Sequence, residues 1–209
     1  FNDVYEKILR DLQSAGNAGE YYTPRPVTQF MAEMVDPQPG EIVLDPACGT
    51  AGFLICVLEI LLRKISQRLG QLTPEEADAS RSLRGIEKKP LPHMLAMTNL
   101  ILHKIEAPNI VRDNGLTRFS YRDITDAQRV HIVLTNPPFG GIEDPGIESS
   151  FPQAFQTKET ADLFLVLIMR ILLDGGRAAV VLPDGSLFGE GVKTRIKERL
   201  LETCNLHTI

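Results

Sequence analysis

Glu41-Ile42-Val43-Leu44-Asp45-Pro46-Ala47-Cys48-Gly49-Thr50-Ala51-Gly52-Phe53 reads as strand, carboxylate, glycine turn and helix. Ile42-Val43-Leu44 is short, apolar and partly β-branched, as a central parallel strand should be. Gly49 and Gly52 permit a tight turn and the close approach of a ligand. From Phe53 to Leu62 the chain continues as an apolar helix. A first strand, glycine turn and helix form the nucleotide-binding corner of a doubly wound α/β sheet. The dinucleotide pattern G-x-G-x-x-G is absent. Asp45 instead places a carboxylate at the strand end, where it suits a cationic ligand. Taken alone, such a loop also serves plain strand–helix packing.

A second stretch adds chemistry. Val130-His131-Ile132-Val133-Leu134 reads as a buried strand, and Asn136-Pro137-Pro138-Phe139 follows it. The amide oxygen of Asn136 and the carbonyl of Pro137 can each accept one N–H bond. Two prolines lock φ and remove donors, so these acceptors hold their direction. Phe139 offers a face for a flat heterocycle. The set suits a planar exocyclic amine. A proline-stiffened loop with a buried Phe would carry the same tetrapeptide.

The rest of the chain alternates helix and strand. Asp3 to Leu12 is expected as an amphipathic helix and Ser14 to Gly19 as a glycine-bearing link. Thr23 is expected to cap a helix that begins at Pro24. Strands are expected at 41–44, 83–87, 109–112, 131–135 and 177–182, with the beginning of another at 206–209. Helices are expected at 51–70, 91–103, 160–173 and 193–201, with a further helix start at Thr73-Pro74-Glu75-Glu76. A long loop spans 140–158. The organisation is an N-terminal helical segment, 1–39, and an α/β core, 40–209. No internal repeat or low-complexity tract appears.

Composition bounds the function. A chain of 209 residues with 43% hydrophobic content can bury one sizeable core. No apolar run is long enough for a membrane span, and no signal peptide opens the chain. Cys48, Cys56 and Cys204 form no disulfide framework, which suits a reducing cytoplasm. His93, His103, His131 and His207 lack metal-ligand spacing, so no metal site is expected. A net charge of −5 and a pI near 5.4 do not suit a free-standing DNA binder. Either local basic residues (Lys158, Arg177, Lys193, Arg195, Lys197) face a polyanion, or another polypeptide supplies the grip. A solvated helix face is the plainer reading of 193–199.

Asp45-Pro46-Ala47-Cys48-Gly49-Thr50, followed downstream by Asn136-Pro137-Pro138-Phe139, resembles the S-adenosylmethionine-dependent amino-methyltransferases of DNA. Gly19-Glu20-Tyr21-Tyr22-Thr23-Pro24-Arg25 upstream resembles the first cofactor motif of the adenine-N6 class. Together the three most closely resemble the modification subunits of type I restriction-modification systems, over nearly the whole chain. Ala51 departs from the pattern, which often has glycine there.

The resemblance implies a Rossmann-like methyltransferase fold with a mostly parallel, doubly wound sheet, stopping before its final edge hairpin. It implies a site-specific, adenine-specific DNA methyltransferase that uses S-adenosylmethionine. Its partners would be DNA, a specificity subunit and a restriction subunit, in the cytoplasm. Asn136, Pro137, Pro138 and Phe139 would be catalytic. Tyr22, Thr23, Asp45, Ala47, Gly49, Thr50, Gly52 and Glu87 would bind the cofactor, with Asp45 near its ammonium. Thr23 suits the carboxylate, because a helix N-terminus offers N–H groups and a positive dipole end. Glu87 suits the ribose diol, and Ile86 would pack on the adenine. Asp113 or Asn114 would meet the adenine amine; Asn114 aligns better by its distance from Leu116. Cys48 reads as a small packing residue.

Other readings remain at this point. A protein-glutamine methyltransferase shares the Asn-Pro-Pro-aromatic logic, and Thr23-Pro24-Arg25 argues against it. A stand-alone DNA methyltransferase and a cofactor-binding scaffold without catalysis are two more. The missing initial Met at Phe1 and the end at Ile209 read as the core of a longer protein. No P-loop of the G-x-x-x-x-G-K-[ST] kind occurs, so restriction activity is not expected in this stretch.

Overall fold

The computed structural model describes residues 23–68, 70–140 and 143–209. The helix expected at 3–12, the link after it and Tyr22 lie outside the described residues. In chain order the elements are α1 (Arg25–Val35), β1 (Val43–Asp45), α2 (Gly52–Gln67), α3 (Ala79–Ser82), β2 (Leu83–Glu87), α4 (Pro90–Leu102), β3 (Ile110–Arg112), α5 (Gly115–Arg118), β4 (Val130–Thr135), α6 (Thr160–Ile171), β5 (Leu172–Val180), α7 (Asp184–Phe188) and α8 (Val192–Thr203). The strands form one sheet in the order β3-β2-β1-β4-β5, and every neighbouring pair is parallel.

Strand alternation divides the core in two. Val43, Ile132 and Leu134 point to one face, where Leu54, Ile55, Leu58 and Leu61 of α2 and Leu100 of α4 cover them. Leu44 and Val133 point to the other, against Leu163, Val166 and Leu167 of α6 and Ile196 of α8. Helices on both faces make the sheet doubly wound. α2 leaves β1 on one side and α6 leaves β4 on the other, so the winding reverses between β1 and β4. A crevice at the carboxyl ends of these two strands follows from that reversal.

Several expected elements differ in detail. Thr73 to Glu76 is a turn, not a helix start. Thr73 Oγ1 accepts from Glu76 N and the Glu76 carboxylate accepts from Thr73 N. This reciprocal pair satisfies both donors without a helix behind it. The short helix comes later, where Asp78 caps α3 by accepting from Ser80 N. β5 begins at Leu172 rather than Arg177, because Leu172 pairs with Val130 across a bulge. Regular pairing then resumes at Arg177↔Ile132, and Gly175, at φ +75°, absorbs the irregularity. Residues 206–209 form no strand.

The bonded histidines have structural partners. His131 Nδ1 accepts from Ile42 N, while ring nitrogens of His93 and His103 bond the Ile110 and Asn99 carbonyls. Among the described residues no helix is long and apolar enough to cross a membrane. Nor does any cluster of His, Cys, Asp and Glu there suit a metal ion.

Candidate active site

Three buried side-chain atoms lack a hydrogen-bond partner among the described residues: Asp45 Oδ2, Thr135 Oγ1 and Asn136 Oδ1. All three stand at the ends of β1 and β4, where the winding reverses. Buried polar atoms are nearly always paired, so such a group calls for a partner.

Asp45 ends β1 and is 1% exposed. Its Oδ1 accepts from Ala47 N at 3.1 Å. Burial pushes its pKa up to about 7, against the Thr135 side chain and the Ala47 N–H, which pull it down; Glu87 nearby adds a smaller upward push. Thr135 thus lies close enough to favour the carboxylate, without reaching hydrogen-bonding geometry.

The turn after Asp45 is tied down by backbone bonds. Cys48 N donates to Ile86 O and Ala51 N to Cys48 O. Asn99 of α4, buried itself, donates from Nδ2 to Thr50 O at 2.9 Å. Gly49 has φ +53°, and a Cβ on Gly49 or Gly52 would meet nothing within 4 Å. These two glycines border open space, not packed protein. Ala51 sits at φ +68°. A methyl-bearing residue there costs about 1 kcal/mol, which this chain tolerates with the side chain fully buried. Cys48 is buried, and burial, followed by the charges of Asp45 and Glu87, pushes its thiol well up. It packs against Gly85, where an added Cβ would lie 3.0 Å from its Sγ.

Glu87 ends β2 and reaches back to the glycine turn. Its Oε2 accepts from Gly49 N at 2.9 Å and its Oε1 from Lys89 N at 2.7 Å. Ile86, at 2% exposure in the core beside Leu44, leaves no face for a ligand. Its expected packing on an adenine is therefore corrected, since strand alternation turns it into the sheet's far face.

After β3, Asn114 Oδ1 accepts from Leu116 N and caps α5, and its Nδ2 donates to Glu143 Oε2 at 2.8 Å. Asp113 turns outward, with Arg118 on one oxygen and its own turn on the other. Gly115 lets this turn approach β1, because a Cβ there would stand 2.3 Å from the Pro46 carbonyl oxygen. We expect Gly115→Ala to destabilise the protein by about 2 kcal/mol, since backbone cannot give way as a flexible side chain can. Thermal unfolding against a Thr117→Ala control measures it, and equal melting points would refute the close approach.

Asn136 follows β4. Its Nδ2 donates to Thr23 Oγ1 at 2.9 Å. Pro137 is buried, Pro138 exposed and Phe139 half-buried. The expected capping role of Thr23 is not seen: α1 begins at Arg25, Pro24 is its N-cap, and no side chain caps it. The hydroxyl is engaged with Asn136 instead.

The basic residues are largely committed elsewhere. Lys193 reaches Asp162 at 2.6 Å, and the same carboxylate takes the Ser186 hydroxyl. Arg195 holds the Ala154 carbonyl, and Lys197 the carbonyls of Leu187 and Gly189. Arg177 pairs with Glu41, near the start of β1 and away from the crevice. Of the five, only Lys158 is exposed and makes no side-chain bond among the described residues. Thr135, Asn99, Gly115 and Glu143 were not singled out by sequence. Of these, Thr135 had a signal: a hydroxyl at the strand end directly before Asn-Pro-Pro.

Comparison with known proteins identifies the family. The chain is 55% identical to the methylase subunit of the type I restriction enzyme EcoEI from Escherichia coli, over 100% of this chain and 41% of the relative. It is 37% identical to the EcoKI methylase subunit of Escherichia coli K12, over 100% of this chain and 40% of the relative. Among solved structures, a modification subunit assigned to a type I restriction enzyme of Vibrio vulnificus YJ016 superposes with a TM-score of 0.82 at 49% identity, covering 95% of this chain and 42% of that one. The chain thus spans about two fifths of the length of the curated relatives it matches. With the family model for N-6 DNA methylases matching residues 1–209, the chain belongs to the N-6 DNA methylase family.

Proposed function

We propose that this chain transfers a methyl group from S-adenosylmethionine to the N6 amine of a flipped-out adenine in DNA, as the modification subunit of a type I restriction-modification system. The observation that carries this reading is the buried, unpartnered Asn136 Oδ1 beside the Pro137 carbonyl. Two fixed acceptors at one strand tip match the two hydrogens of an exocyclic amine.

The residues of the neighbouring strands fit the methyl donor. Asp45 offers an unpartnered oxygen to an ammonium, and the open ground beside Gly49 and Gly52 receives the amino-acid part. Glu87, braced by two N–H donors, stands at the β2 end, where an acid meets a ribose diol. Asn114, fixed at both ends of its amide, faces the adenine amine, while Asp113 braces the turn. When bound, the donor supplies an activated methyl on a sulfonium.

Everything else is positioning. Asn136 and the Pro137 carbonyl would draw the two N6 hydrogens and favour a pyramidal nitrogen, leaving its lone pair free to take the methyl. The electron pair of the donor's carbon–sulfur bond would stay with the donor, and the amine proton would go to water. Orienting two bound reactants supplies several orders of magnitude in rate. Extruding the base costs a few kcal/mol. Stacking on Phe139 offsets about 1–3 kcal/mol of that.

The partners follow from charge. A net −5 chain in which four of the five basic candidates brace their own neighbours favours a grip on DNA supplied from outside it. A specificity subunit then supplies the grip on DNA and the sequence choice, with a restriction subunit alongside, in the cytoplasm. The test is the full-length protein with and without a specificity subunit, supplied with methyl-labelled S-adenosylmethionine and duplex DNA. Label should appear as N6-methyladenine, and only weakly without the partner. Label in cytosine, or in protein glutamine, would refute the assignment.

A further inference from the structure

Among the described residues the Asn136 amide is held from one side only. Its Nδ2 donates to Thr23 Oγ1 across 113 residues of sequence, and its Oδ1 is buried and unpartnered. A hydroxyl both donates and accepts, so Thr23 by itself is satisfied by either orientation of the amide. Turned by 180°, the amide would aim its NH2 at the incoming amine, donor against donor. The orientation is decided only when the Thr23 proton is committed elsewhere. Among the described residues no acceptor takes that proton.

The start of α1 leaves few other donors for an anion. Pro24 and Pro26 carry no N–H, and Val27 N already donates to Pro24 O at 2.9 Å. The helix N-terminus that sequence suggested as a carboxylate site is thus poor in free N–H groups, and the Thr23 hydroxyl stands out beside it.

We infer that Thr23 is a positioning residue that polarises the Asn136 amide: with its proton given to the carboxylate of the methyl donor, Thr23 Oγ1 becomes a pure acceptor and selects the orientation that points Asn136 Oδ1 at the target amine. The inference rests on the function proposed above. Its consequence is a coupling between two sites, in which donor occupancy strengthens capture of the amine, and reciprocally.

The full-length protein with its partner subunits is titrated with duplexes carrying either adenine or purine at the target position. Purine lacks the 6-amine. Each titration is run with and without sinefungin, an unreactive analogue that keeps the amino-acid carboxylate. In wild type, sinefungin should widen the preference for adenine over purine by about ten-fold, the worth of one well-oriented hydrogen bond. Thr23→Ser should retain the widening. Thr23→Val and Thr23→Ala should lose it, and neither should change the preference further in an Asn136→Ala background. A widening that survives Thr23→Val overturns the inference, as does its absence from wild type. If Asn136→Ala removes the adenine preference while Thr23→Val leaves the widening intact, only the role of Thr23 falls. If Asn136→Ala leaves that preference untouched, the base site itself is misplaced and both readings fall.

Discussion

Asn136→Ala is expected to lower the rate of methyl transfer by at least about 10²–10³-fold, while affinity for S-adenosylmethionine stays within a few-fold. The size follows from the kind of interaction removed. Asn136 Oδ1 is a buried acceptor without a partner among the described residues, and under the proposed function it would be aimed at a nitrogen whose charge changes during reaction; single groups of that kind carry effects of this order. The selectivity follows from geography. Asp45 and Glu87 end β1 and β2, whereas Asn136 follows β4, and its bond to Thr23 uses only the hydroxyl's acceptor side, leaving the Thr23 proton for the donor. Phe139→Ala acts differently, because a stacking ring binds the base before and during transfer and so partly stabilises the ground state. Single-turnover kinetics at saturating donor and DNA separate the two, and 2-aminopurine fluorescence reports extrusion of the base independently. Wild-type transfer by the Asn136→Ala protein would end the proposed mechanism.

What the sequence made legible, and what it hid, divides along a physical line. β1, β2 and β4 are short apolar runs bounded by glycine, proline or a strand-end polar group, so their ends were readable, and with them Asp45, Glu87 and Asn136. The parallel order followed from alternation of helices and strands. Local signals misled where a motif was satisfied without its usual context. Thr73 and Glu76 complete their reciprocal bonds in a turn, and the Asp174-Gly175-Gly176 stretch lies in a bulge of β5 rather than before the strand. Tertiary choices were invisible. No local pattern says that Gly115 must pass the Pro46 carbonyl, that Ile86 faces the core, or that Thr23 reaches Asn136 instead of capping α1. The basic residues show the same limit. A Lys at 193 looks solvated in sequence, yet its partner is a buried Asp162 from another helix.

Asp45→Asn should move stability and cofactor binding in opposite directions, and pH should separate them. Burial raises the Asp45 pKa from 3.8 to about 7. The folded protein therefore keeps this proton over a range where the unfolded chain has released it. The stabilising contribution is full below about pH 4 and is lost as pH rises towards 7. A shift of that size corresponds to roughly 4 kcal/mol once the group is ionised. Asparagine cannot ionise, and its NH2 can donate to Thr135 Oγ1, which has no partner now. The melting temperature of Asp45→Asn should therefore match wild type near pH 4 and exceed it by about 10 °C at pH 8. Binding goes the other way. A buried ionised carboxylate is costly unless a cation meets it, and under the proposed function the ammonium of S-adenosylmethionine, protonated throughout pH 5–7, would be that cation. Affinity in wild type should fall about ten-fold per pH unit below 7, with proton uptake or release visible in calorimetry as a dependence on buffer. In Asp45→Asn it should be about 10–100-fold weaker at pH 8 and nearly flat with pH. Parallel melting curves for the two proteins from pH 4 to 8 would show that burial does not raise the Asp45 pKa. A pH-dependent affinity that survives in the Asn variant would place the ammonium elsewhere. The strand end thus carries a charge that burial resists and that, under the proposed function, the methyl donor would neutralise.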